Sequence, residues 1–362
     1  MTKNKITNLE ITSITFFITR AFLVGVTFNS LLKSMKQNSW MTPLFSIPFG
    51  IIYIFFVIYI INYKPNLDIN NKLSNLFSKP LTFIIISIIT IILLLACTLN
   101  FLNLCNFIQS QFLIRTPIYI IAILFSLTTF YVVSKGINTI TRTSNILFYI
   151  SIFFITITTI SLVSNIKISN IEPFLNLKPI NYMKGLNTFY AFHICPIFLL
   201  TLIKKDSINN PKLKKITILS FILSIITITL TMLITISAFG YKLALLYEYP
   251  IFHILKHLSI TGFSSRIESI LVIQLIFDFF VCHILLVYFI SSNIKYLTNT
   301  KNNNIWYIIT SLTIIIGTLF FSRYSIYLDK YLKLIIPLIT TILATIIIII
   351  ICIKIKMSKN SF

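Results

Sequence analysis

Long apolar stretches separated by short polar links repeat along this chain from about residue 11 almost to its end. Each runs about 20 residues, the length a helix needs to cross a hydrocarbon core. Hydrocarbon offers a backbone no hydrogen-bond partner, so such stretches fold as helices bonded to themselves. Ten spans are predicted: 11–28, 40–63, 80–107, 116–133, 145–164, 184–202, 216–238, 265–290, 306–321 and 331–353. Thr116-Pro117 marks a helix start, because proline in the first turn loses no hydrogen bond. Ser144 reads as the cap of the fifth span. The link 240–261 is itself patterned. From Pro250, Ile251, Ile254, Leu255 and Leu258 recur at helical spacing, with His253, Lys256 and His257 on the other face. That predicts a short amphipathic helix lying on the membrane surface.

Composition agrees with a bilayer as solvent. The 362 residues are 57% hydrophobic and 10% charged, with mean hydropathy +0.93. A soluble fold of this length could not hide so much apolar surface, so a single membrane domain over 1–362 is expected. The net charge of +22 would suggest nucleic acid in a soluble protein. Here the Lys and Arg cluster in the links, where they anchor helix ends and meet anionic lipid. An even number of spans puts both termini on one side. The heavier basic loading, densest at Lys204, Lys205, Lys212, Lys214 and Lys215, makes that side the cytoplasm. The five cysteines lie in apolar runs without a CxxC pair, so neither a disulfide framework nor a zinc site is expected. The start of the chain is polar and the run after it is long enough to remain a span, so no cleaved leader is expected.

Ionisable groups within spans are expensive and are functional candidates by default. They are Arg20 in the first span, His193 in the sixth, and Asp278 and His283 in the eighth. Arg20 suits either an anion or substrate contact at a helix break, or an ion pair with Asp278. Asp278 and His283 stand roughly 140° apart around a helix, so they do not share a face. Asp278 then holds a cation, either a ligand ammonium or Arg20, and His283 reads as a polar packing residue. Pro196 removes a hydrogen bond near the middle of the sixth span. Such interruptions either line a midplane ligand site or are simple kinks satisfied by neighbours. His253 and His257 have metal-ligand spacing but no third ligand nearby, so they read as a solvated face. No phosphate loop, dinucleotide fingerprint, nucleophile elbow or paired carboxylate occurs, so neither an enzyme nor a cofactor is expected.

Several motifs occur in a fixed order. They are Lys5-Ile6-Thr7-Asn8, Trp40, Phe112-Leu113-Ile114-Arg115-Thr116-Pro117, Tyr131 to Ile137 with Arg142, Tyr249-Pro250, and Ser265-Arg266-Ile267-Glu268. Together they resemble the spore germination permease family, the B subunits of GerA-type nutrient germinant receptors in the amino acid–polyamine–organocation superfamily. The resemblance covers nearly the whole chain. It implies ten helices in two inverted five-helix repeats (LeuT-like), about 11–164 and 184–353, with the first and sixth broken around a midplane pocket. It implies recognition of a small germinant, often an amino acid, in the inner membrane of a bacterial spore. The implied partners are an A-type membrane subunit and a C-type lipoprotein. The pocket would draw on Ala21 to Gly25, Ala96, Asn100, Phe189, Phe192, His193, Asp278 and Cys282. The chain departs from the family at Ala21, where glycine is usual, and near Cys195-Pro196, where a glutamate is common. A secondary amino-acid transporter coupled to H⁺ or Na⁺ would need the same pocket.

Overall fold

The computed structural model describes residues 5–163, 166–208, 212–260, 267–300 and 302–360, with backbone alone at 258–260, 325–334 and 359–360. Among these, nine helices are long and apolar enough to cross a membrane, and Ile118–Ser134 is a shorter apolar helix. We number the ten as spans: Asn8–Asn38, Met41–Asn62, Lys79–Gln111, Ile118–Ser134, Ile137–Val163, Pro179–Leu202, Leu213–Ala244, Ile267–Thr298, Asn303–Arg323 and Ile335–Ser358. This is an all-helical, multi-pass integral membrane protein.

The ends of the spans differ from expectation for local reasons. Span 1 begins in the polar leader because Thr7 and Glu10 cap each other. The Thr7 N–H donates to Glu10 Oε2 at 2.7 Å, and the Glu10 N–H donates to Thr7 Oγ1 at 3.4 Å. It ends late because two half-helices, Asn8–Arg20 and Phe28–Met35, are joined by an unwound turn. Span 5 starts at Ile137 rather than 145, since its Thr- and Ser-rich first turns stay helical. Ser144 is therefore not a cap; its hydroxyl donates to the Ile140 carbonyl one turn back at 2.8 Å. Span 7 continues past 238 through a kink at Gly240. The amphipathic helix is present as Pro250–Ile260, with Ile251, Ile254 and Leu255 buried. His253 is not simply solvated, for its ring stacks on Tyr247 at 4.2 Å.

One short helix, Ile69–Leu76, is absent from the sequence reading. It carries Lys72 back beneath span 2, where Nζ donates to the Ile60 and Ile61 carbonyls at 3.1 and 2.8 Å. An ammonium there satisfies orphan carbonyls at a helix end whose partial charge is negative.

The links gather into two opposed ends, as an alternating path requires. At one end Ile6 bridges to Ile208, and Lys204 pairs with Asp68 at 3.2 Å. These contacts join the start of span 1 to the links after spans 2 and 6. At the other end Asn29 donates to the Glu248 carbonyl, and Asn170 to that of Ser237. Burial separates inner from outer spans. Within each apolar window 89% of span 1 and 72% of span 8 is buried, against 22% of span 10. Spans 2 and 7 touch at Gly50, where an added Cβ would lie 2.2 Å from the Phe221 ring.

Candidate functional site

The two interrupted helices meet at the centre. In span 1 the helix stops after Arg20, and Val24 (φ −87°, ψ 133°) and Gly25 (φ 80°, ψ −29°) leave helical geometry before Phe28 resumes it. Glycine suits that turn twice over. Its positive φ disfavours any side chain, and a Cβ would lie 2.0 Å from Asn103 Oδ1. The break frees carbonyls, and span 3 supplies donors to two of them. Asn103 Nδ2 reaches the Val24 carbonyl at 2.6 Å, and Asn100 Nδ2 reaches that of Ala21 at 3.4 Å. Three residues apart, these two amides share one face of span 3.

Span 6 is helical over Pro179–Phe189, widens by a residue per turn over Tyr190–Ile194, then tightens over Cys195–Leu202. The change falls at Pro196, which has no N–H to give the Phe192 carbonyl. Tyr53 of span 2 donates its hydroxyl to the Cys195 carbonyl at 3.2 Å. His193 Nδ1 lies 2.5 Å from the Thr19 carbonyl of span 1. A carbonyl only accepts, so Nδ1 carries the hydrogen, and in the neutral imidazole Nε2 is left an acceptor. That Nε2 and Asn100 Oδ1 are buried without a protein partner. Phe189 stacks under the imidazole at 4.2 Å.

Arg20 and Asp278 do pair, Nε to Oδ2 at 3.3 Å. Arg20 Nη1 also donates to Thr227 Oγ1 of span 7 at 2.7 Å, and Gln274 Nε2 donates to Asp278 Oδ2 at 3.3 Å. His283 faces elsewhere: it stacks on Phe101 at 4.5 Å, with Nδ1 3.3 Å from Cys97 Sγ.

Beside the breaks is a cavity of about 90 Å³. Phe22 of span 1 and Phe192 of span 6, 5.5 Å apart, form one wall. Ala96, Leu286, Tyr53 and Ala344 bring in spans 3, 8, 2 and 10. No charged side chain lines it, and its two hydroxyls are already donating, Tyr53 to Cys195 and Thr340 to the Ile336 carbonyl at 2.8 Å. An engineered cavity of about 150 Å³ holds benzene, so this one has room for a group the size of an aliphatic side chain.

Of the residues singled out from sequence, Ala96 and Phe192 line this cavity. Asn100 bonds Ala21 and His193 bonds Thr19 about the span 1 break, where Gly25 lies against Asn103. Phe189 supports His193, Asp278 holds Arg20, and Cys282 is buried a turn beyond Asp278. Sequence reasoning missed Asn103, Tyr53 and the part that span 10 takes in the cavity wall. Asn103 carried a signal, since it repeats Asn100 one turn on within an apolar run.

An all-helical membrane protein whose first and sixth spans are interrupted beside one cavity has the architecture of permeases built on discontinuous helices. The crystal structure of a mutant of the Eremococcus coleocola manganese transporter superimposes with TM-score 0.65 at 11% identity, covering 96% of this chain and 78% of that one. It shows the shared LeuT-like fold of two inverted repeats. Nothing among curated proteins matches the chain. The signature of the spore germination protein family matches residues 10–326, and the chain belongs to that family.

Proposed function

We propose that this chain is the membrane subunit of a nutrient germinant receptor in the inner membrane of the bacterial spore. A small germinant, such as an amino acid, seats its apolar part in the cavity and triggers germination. The observation that carries this reading is the coincidence of both helix breaks with one void. Polar ends of the ligand would meet the unwound turn from Ala21 to Gly25, with Asn100 Oδ1 and His193 Nε2 as acceptors. The start of the second half-helix carries positive partial charge, which favours a carboxylate. Cys282 and Asp278 would close the site from span 8. Filling the void favours whichever packing of spans 1 and 6 keeps it open, and an A-type subunit and C-type lipoprotein would read that shift. Binding, not catalysis, is the activity, and both termini face the cytoplasm.

The test is a deletion strain carrying wild type or Ala96→Phe, screened against single amino acids, sugars and salts. Wild type restores a response, and Ala96→Phe is expected to move its midpoint at least tenfold at normal protein levels. An unaltered dose response would count against the cavity. The fold shared with a transporter favours a second reading, secondary amino-acid transport coupled to H⁺ or Na⁺. Uptake of labelled amino acid into vesicles holding this chain alone would support it.

A further inference from the structure

Arg20 stands at a place where discontinuous membrane helices hold free cations. It is the last residue of the first half-helix, whose carbonyl end carries negative partial charge. In transporters built on broken helices, that end coordinates Na⁺ or H⁺. The groups around the guanidinium are the oxygen set such an ion would use: the Asp278 carboxylate of span 8 at 3.3 Å and the Thr227 hydroxyl of span 7 at 2.7 Å. Both charged residues are nearly sealed, at 2% and 3% exposure. The other Asp278 oxygen, Oδ1, has no protein partner. The Phe16 ring lies under the guanidinium at 5.2 Å, a further cation-binding surface. A void of about 10 Å³ adjoins Arg20, lined by Gln274, Thr158 and Thr231 as well, which is scarcely room for one water.

We infer that Arg20 is a covalently tethered cation occupying a monovalent-cation site between spans 1, 7 and 8, so that the protein holds its core together without Na⁺. The pair is neutral as it stands, and a second cation would meet guanidinium rather than carboxylate. Removing the guanidinium leaves a buried carboxylate beside the Thr227 hydroxyl, and that vacancy recruits a small cation. The inference does not depend on the germinant reading, and its test is read on the protein itself.

The experiment is thermal unfolding of the purified full chain in detergent, at constant ionic strength, in choline chloride, NaCl, or choline chloride with low-millimolar guanidinium. Wild type and Arg20→Lys are expected to melt at the same temperature in all three. Arg20→Ala is expected to melt lower in choline and to recover at least half the loss, saturably, with Na⁺ or guanidinium, as a ligand of the folded state must. Arg20→Gln carries the same expectation where Arg20→Ala yields no protein. The double variant Arg20→Ala/Asp278→Ala is expected to lose the recovery. A wild type stabilised by Na⁺ would overturn the inference. So would a folded Arg20→Ala or Arg20→Gln indifferent to both cations.

Discussion

Gly25 shows how narrowly single positions are determined here. Its φ of 80° and the 2.0 Å approach to Asn103 Oδ1 leave no place for a methyl group. Gly25→Ala must push Asn103 off the Val24 carbonyl or force the turn to rewind. It is expected to cost about 1–3 kcal/mol, seen as a lower melting temperature in detergent; an unaltered value would show that the turn is soft. Lys72 makes a prediction about pH. Burial among helix ends lowers its pKa from 10.5 to about 8, against a smaller raising effect of Asp68. Between those values the unfolded chain holds the proton and the folded chain does not, so this residue's contribution to stability rises with pH. Wild type should therefore gain on Lys72→Met from about pH 8 to pH 10.5, and parallel curves would contradict the assignment. Arg20 and Asp278 were legible as partners because apolar spans offer a buried charge so few. Asn103 and Tyr53 were not, since a neutral amide or phenol in a span has many ways to be satisfied.

At the scale of elements, the break in span 6 could be read from Pro196, because a missing N–H is written in the sequence. The break in span 1 was expected from resemblance, and its cause is Gly25 held by amides of span 3. Neither its extent nor the wide turn over Tyr190–Ile194 has a sequence signature. Span 5 began earlier than hydrophobicity suggested, because Thr141 and Ser144 satisfy their hydroxyls on carbonyls of their own helix and Thr139 on that of Lys135 just before it. The helix Ile69–Leu76 went unread because one apolar face over two turns is a weak signal. Pro196→Ala returns an N–H to the Phe192 carbonyl. Amide exchange over residues 190–202 is expected to slow in that variant, with a weaker response to germinant. Exchange at the wild-type rate would mean that neighbours, not proline, hold the break open.

At the scale of the molecule, the ten-helix bundle could be read almost whole from the repeat of apolar runs. The lining of its cavity could not. Ala344 lies in a helix apolar nearly all round, where one face differs little from another in sequence, and only packing decides which one turns inward. Span 10, the least buried, still closes the void through Thr340 and Ala344. The family signature stops at 326, so this wall comes from a part of the chain beyond it. A ligand seated there touches spans 2, 3 and 8 as well as both broken helices, which gives one small molecule a grip on the whole bundle. Titration calorimetry of the purified chain with the germinant returned by the strain screen tests this most directly, comparing wild type with Ala344→Phe. The account predicts that a ring placed in the void weakens the dissociation constant at least tenfold in a protein that melts normally. An equal constant in the two proteins would contradict it.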